Sequence, residues 1–213
     1  MTRKIALGAG LLVFFVAGLT FYYVTAKRHS ANMAELRAAA PSPSPAASSF
    51  AVETPADVSV PVFELPDVAG VMRNSTEWDG KARMLNFWAT WCAPCRREIP
   101  LLMKTQEENT GNNVQVIGIA VDFPEQVAAY AEETGFNYPI LVGQEDAMAV
   151  AEKSGIDFIG MPFTMIVAPS GELIKAHIGE IVESHIEAIL HVFERLEVGE
   201  IDVAEAREAL SAL

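Results

Sequence analysis

Phe87-Trp88-Ala89-Thr90-Trp91-Cys92-Ala93-Pro94-Cys95-Arg96-Arg97-Glu98-Ile99-Pro100 carries two cysteines across the point where an apolar run gives way to a helix. The run, Arg83 to Ala89, is short and continuous, as in a strand buried on both faces. A helix is predicted from about Cys92 into the 100s. Its N-terminus presents unpaired N–H groups and a partial positive charge, which stabilise a thiolate on Cys92 and lower its pKa. Only the thiolate attacks a disulfide. The two-residue spacing folds Cys95 back within reach, one turn on. Cys92 is therefore expected to attack and Cys95, the more buried, to resolve. Pro94 stiffens the turn and lacks an N–H that would go unpaired there. Two incidental buried cysteines are the alternative, since Cys packs as a small hydrophobe; strand, Cys-x-x-Cys and helix in succession favour redox chemistry.

These are the only two cysteines in the 213 residues, so no pair is left to staple the fold and a disulfide scaffold is excluded. A closed tetrahedral zinc site in one chain needs two more ligands, and His29, His177, His185 and His191 show no metal spacing. No metal and no cofactor are expected beyond a redox-active Cys92–Cys95 disulfide.

Beyond this segment, strands and helices alternate. Val114 to Val121 reads as a second buried strand. Pro124 to Thr134 reads as a helix, with Pro in its first turn and Gly135 just past its end. Tyr138 to Val142 is a short strand, and Asp146 to Ser154 a helix stopping at Gly155. Phe163 to Ala168 and Glu172 to Ile178 are strands joined by Pro169-Ser170-Gly171, a hairpin signal. Ser184 and Glu187 fit a capping box, after which Ile186, Ile189, Leu190, Phe193 and Leu196 form an apolar stripe. Asp202 and Glu205 fit another box, opening a helix over Val203 to Leu213. The alternation implies an α/β sheet with helices on both faces and an antiparallel edge from the closing hairpin.

On the N-terminal side, residues 41–49 read PSPSPAASS, a semi-extended linker unable to build a core. Ile5 to Ala26 holds no charged residue. As a helix it spans about 33 Å, enough for a bilayer core, and it is longer than the apolar region of a cleavable signal. Phe21, Tyr22 and Tyr23 suit an interfacial aromatic belt. The expected division is an anchor over 1–27, a Pro/Ser-rich linker over 28–57, a folded domain over 58–196 and an acidic helical tail over 197–213. The tail's three possible roles are to cap the domain, to meet a partner or to stay mobile. The formal charge is −13, of which residues 1–40 contribute +4 and the rest −17. Such a body repels nucleic acid, which is excluded as a partner.

The segment from Phe87 to Pro100 resembles the active-site segment of thioredoxin-like proteins of the TlpA/ResA type, membrane-anchored bacterial thiol-disulfide oxidoreductases. The similarity runs from about Val58 to Leu196. Trp91 before the cysteine pair and Pro100 within the following helix make the match specific. Met161-Pro162-Phe163-Thr164 lies just before a strand, where such folds hold a cis-proline beside the cysteines, lining the substrate groove. Pro124 to Val142 matches the helix and strand that the family inserts into thioredoxin.

The resemblance implies a thioredoxin fold with a mixed central sheet, helices on both faces, the inserted helix-strand segment and one preceding transmembrane helix. It implies Cys92 and Cys95 as catalytic residues, supported by Trp91, Pro94, Met161 and Pro162. Thioredoxins carry a buried acid where Asn86 stands, and Asn cannot titrate. No clear proton acceptor is encoded locally; Asp122, at the end of a strand, and Glu98 are candidate relays, though a solvated acid is the commoner fate of each. Trp88 and Trp91 are read as packing residues bordering the site, and His177 as a paired or edge residue.

The activity implied is reduction of disulfides in exported proteins, for example in cytochrome c or copper-site maturation. Electrons would come from a membrane thiol donor, and the inner membrane would hold the chain through residues 5–26. The alternatives are a disulfide oxidase on the same fold and a non-enzymatic tethered binding module. Lys27, Arg28 and Arg37 after the span outnumber Arg3 and Lys4 before it, so the positive-inside rule leans against an exported domain. The resemblance places the C-terminal domain in the periplasm, and that placement is the one expected here.

Overall fold

β3 (Ala82–Trp88) is buried at every position, because neighbours flank both its edges and helices cover both its faces. The computed structural model describes residues 58–213. The anchor and linker expected over residues 1–57 lie outside the described residues. Among those described, no helix is long and apolar enough to cross a membrane.

β1 (Glu64–Pro66) and β2 (Met72–Asn74) form a small antiparallel hairpin, followed by a 3₁₀ turn at Ser75–Trp78. Then come β3, α1 (Ala93–Glu108), β4 (Val114–Val121), α2 (Pro124–Thr134), β5 (Ile140–Gly143) and α3 (Glu145–Lys153). β6 (Phe163–Val167), β7 (Leu173–Ile178), α4 (Glu183–Glu197) and α5 (Val203–Ala209) complete the chain. The main sheet has the order β5-β4-β3-β6-β7. β3, β4 and β5 run parallel; β6 is antiparallel to β3 and to β7. This is the mixed sheet of a thioredoxin-like fold.

One register row crosses the whole sheet: His177, Thr164, Asn86, Gly118 and Ile140 are successive partners. It needs a glycine at its centre. A Cβ on Gly118 would lie 2.6 Å from Ile140 Cδ1 and 3.1 Å from Trp88 Nε1, so Trp88 packs only because position 118 has no side chain. On this face Ile99 and Leu102 of α1, Val127 of α2, Ile186, Ile189 and Phe193 of α4, and Leu210 build one core. On the other, Ala147, Val150 and Ala151 of α3 pack with Leu65 and Trp78.

The strand and helix positions agree with the sequence reading to within two residues, except that the last helix, expected over Val203 to Leu213, ends at Ala209. β5 starts at Ile140 rather than Tyr138, since Pro139 has no N–H to enter a ladder; its carbonyl still accepts from Gly118 N at 2.9 Å. Two expectations are corrected. Ser184 does not cap α4. The helix starts at Glu183 with Val182 as its cap residue, because the turn before it is already closed by Ile181 N donating to Glu98. The β1–β2 hairpin was not expected, its strands being too short to show a period. The tail caps the domain. Leu210 and Ala206 are buried, Arg207 Nε donates to Leu173 O at 3.0 Å, and Lys175 Nζ donates to Ser211 O at 3.1 Å. α5 thereby covers part of the outer edge of β7, where open carbonyls would otherwise invite pairing.

Candidate active site

β3 delivers the chain to the carboxyl end of the sheet, where parallel strands place their sites. Ala89, Thr90 and Trp91 form the turn, and Cys92 is the cap residue of α1. Its Sγ accepts from Cys95 N at 3.3 Å, so the sulfur sits at the positive end of the helix, as the spacing implied. Cys92 and Cys95 form a disulfide with Cα atoms 5.3 Å apart. Cys92 is 5% exposed and Cys95 0%. Only the first sulfur can meet a partner from outside. Pro94 lies in the first turn of α1, where its missing N–H costs nothing. The helix runs on through Pro100, whose ring removes the bond that residue 100 would give to the Arg96 carbonyl.

Trp91 projects outward at 68% exposure, whereas Trp88 is buried against Tyr130 and Phe136. The expected packing role therefore holds for Trp88 and not for Trp91. Met161–Pro162 is a cis bond, and the Pro162 carbonyl accepts from Gly179 N at 2.9 Å. Ile159, just before this loop in sequence, and Val182, the cap residue of α4, are exposed apolar side chains.

Glu98 is not the solvated acid that its sequence neighbours suggest. It lies one turn beyond Cys95 on the same inward stripe, together with Ile99 and Leu102, and is 1% exposed. Asn86 Nδ2 donates to Oε1 at 2.8 Å and Ile181 N to Oε2 at 2.6 Å. Burial pushes its carboxyl up to about 7, against the pull of these two hydrogen bonds. Asn86 Nδ2 also reaches Thr164 Oγ1 at 3.0 Å. Position 86 thus holds no acid, yet its amide serves one supplied by the helix. A carboxylate raised to about 7, one helical turn beyond Cys95, suits proton exchange. Sequence reasoning proposed Glu98 but missed Thr164 and Ile181. The signal available was the spacing of Cys95, Glu98, Ile99 and Leu102, a helical stripe in which an acid stands among apolar residues.

Asp122, the other candidate relay, is occupied differently. It is buried at the end of β4. Its Oδ2 accepts from Thr90 N at 2.9 Å and from Thr90 Oγ1 at 2.6 Å, and its Oδ1 from Phe123 N at 2.8 Å. These bonds tie it to the turn carrying Trp91 and Cys92. His177 stands on β7, its ring 4.8 Å from that of His185; burial, then the neighbouring His185, hold it below the usual imidazole range. Among the described residues no group of three His, Cys, Asp or Glu is placed to hold a metal ion.

The fold and this dithiol pair define a thioredoxin-like protein with its redox disulfide at a strand-to-helix junction. The model of the AhpC/TSA family matches residues 57–176, and the chain belongs to that family. It is 30% identical over 118 residues to the thiol-disulfide oxidoreductase ResA of Geobacillus thermodenitrificans, covering 55% of this chain and 66% of the relative. To ResA of Halalkalibacterium halodurans it is 32% identical over 116 residues, covering 54% and 64%. The chain thus spans just under two thirds of the length of these relatives. Among solved structures, a thiol:disulfide interchange protein of the thioredoxin family from Chlorobium tepidum superposes with a TM-score of 0.58 at 28% identity, covering 63% of this chain and 94% of that one.

Proposed function

We propose that this chain is a thiol-disulfide oxidoreductase that reduces disulfides in exported proteins. The observation that carries this reading is the unequal burial of the Cys92–Cys95 pair at the N-terminus of α1. In the reduced protein, the Cys92 thiolate attacks one sulfur of a client disulfide. A mixed disulfide forms, and the client's other sulfur leaves as a thiolate that takes up a proton. Cys95 then gives its proton to the Glu98 carboxylate and attacks Cys92 Sγ. The client's second sulfur leaves, the Cys92–Cys95 disulfide forms, and two electrons have passed to the client. Glu98 releases the proton afterwards. Trp91, Pro94 and the Met161–Pro162 loop frame the sulfur, and the loop's backbone pairs with the bound client chain.

Renewal of the dithiol needs an external dithiol, for which a membrane thiol donor is proposed. The uncharged stretch at residues 5–26 supports an inner-membrane anchor with the domain in the periplasm. Client disulfides of the kind found in cytochrome c or copper-site maturation fit this placement. A peroxidase is disfavoured, because Thr90 and Cys92 lack the Pro-x-x-x-Thr-x-x-Cys spacing.

The test is the reduction potential of the pair, equilibrated against glutathione or dithiothreitol buffers. A value at or below about −220 mV is expected of a reductase, and one near −120 mV would make the protein an oxidase. The absence of a reversible dithiol transition would leave a tethered binding module.

A further inference from the structure

The cis-proline loop leads into β6, which pairs with one edge of β3, and β4 pairs with the other. The β4 side carries an exposed apolar pair of its own. Trp91 is 68% exposed and Phe123 54%. Trp91 follows Thr90 and Phe123 follows Asp122, and these two preceding residues are joined by the 2.9 Å and 2.6 Å hydrogen bonds to Asp122 Oδ2. The clamp fixes both backbones from which the rings project, one of them adjacent to Cys92. Phe123 caps α2 without any side-chain hydrogen bond, so its ring serves no local need. A Ser, Thr, Asp or Asn there would cap the helix better.

We infer that Phe123 is a specificity-determining residue of the reaction, forming with Trp91 an apolar rim that takes a large apolar side chain flanking the disulfide-bonded cysteine of a client polypeptide. The occupant follows from continuity with Cys92, since the client segment on this rim is the one whose sulfur is under attack. Charge narrows it further. Glu125, two residues past Phe123, is exposed in the first turn of α2. Beyond the apolar residue a client with Lys or Arg is therefore favoured over one with Asp or Glu. This inference rests on the proposed oxidoreductase activity and adds a rule for which disulfides are preferred.

The experiment uses the reduced full-length chain and three disulfides: oxidised glutathione, and two synthetic peptide disulfides with a distal lysine that differ only in having Leu or Ser beside the cysteine. Second-order rate constants are measured for wild type, Phe123→Ser and Phe123→Leu. The wild type is expected to prefer the Leu peptide. In Phe123→Ser the ratio of the Leu-peptide rate to the glutathione rate is expected to fall about tenfold, equivalent to about 1.4 kcal/mol. Phe123→Leu is expected to hold the ratio within about twofold of wild type. A Phe123→Ser ratio that does not move, or a wild type indifferent to Leu and Ser, overturns the inference while leaving the oxidoreductase reading intact. Failure of the wild type to reduce any of the three overturns both.

Discussion

The β3–α1 and β4–α2 junctions are built alike and used differently. In each, a parallel strand ends, a cap residue in extended conformation follows, and a proline occupies the first turn of the helix. At the first junction the cap is Cys92, whose sulfur accepts a helix N–H. At the second it is Phe123, whose side chain accepts nothing, and the acid before it reaches across to hold the first junction in place. One strand-to-helix geometry therefore yields a reactive sulfur at one end and its mount at the other. Backbone architecture sets where a site forms; the residue at the cap sets what the site does.

The comparison breaks at the sulfur if Cys92 is not the nucleophile. Cys92→Ser is expected to lower disulfide exchange to the uncatalysed background, read as the reduction rate of a peptide disulfide. Cys95→Ser should leave the first attack possible and accumulate the mixed disulfide, visible as a covalent client adduct on non-reducing electrophoresis.

Glu98→Gln should slow the resolving step by about 10²-fold, the lower end for a general base, and remove a pH dependence centred near 7. The same variant has a stability signature. Burial raises the folded carboxyl above its ordinary value, so between about pH 4.5 and pH 7 the folded state holds a proton that the unfolded state has lost. This contribution is present at low pH and disappears as pH rises through that window. It amounts to about 3 kcal/mol. Denaturant titrations across the window should show the decline in wild type and a weaker one in Glu98→Gln.

Smaller effects are expected at the second junction. Asp122→Ala removes two charge-assisted hydrogen bonds to Thr90 and should cost about 2 to 3 kcal/mol in denaturant unfolding, with a rise in KM for peptide disulfides as the Trp91 turn loosens. An equal fall in kcat and kcat/KM, with KM unchanged, would instead place Asp122 in the chemistry. Phe123→Ser should raise stability slightly, by about 0.5 to 1 kcal/mol, because Ser caps the helix and Phe does not, while it shifts the preference among disulfides.

Much of this was legible in the order of residues. Val114–Val121 and Pro124–Thr134 were read from an apolar run and from a proline and glycine at the two ends, and the structure has both with those bounds. These signals are local: burial on both faces demands a continuous apolar strand, and helix ends demand particular φ angles. Ser184–Glu187 misled for the complementary reason. It is a sound local cap, but Ile181 N, two residues before Glu183, donates to a carboxylate 83 positions away and closes the turn there.

The cysteine pair and its place at a helix start were determined by the sequence alone, because four successive positions and one strand-to-helix transition contain both signals. The state of Glu98 and the use of Asp122 were decided only by the tertiary structure. A carboxylate's proton affinity depends on the water it loses and the donors it gains. For Glu98 those donors come from Asn86 and Ile181, and for Asp122 from Thr90, on separate strands and turns that only the folded sheet brings together.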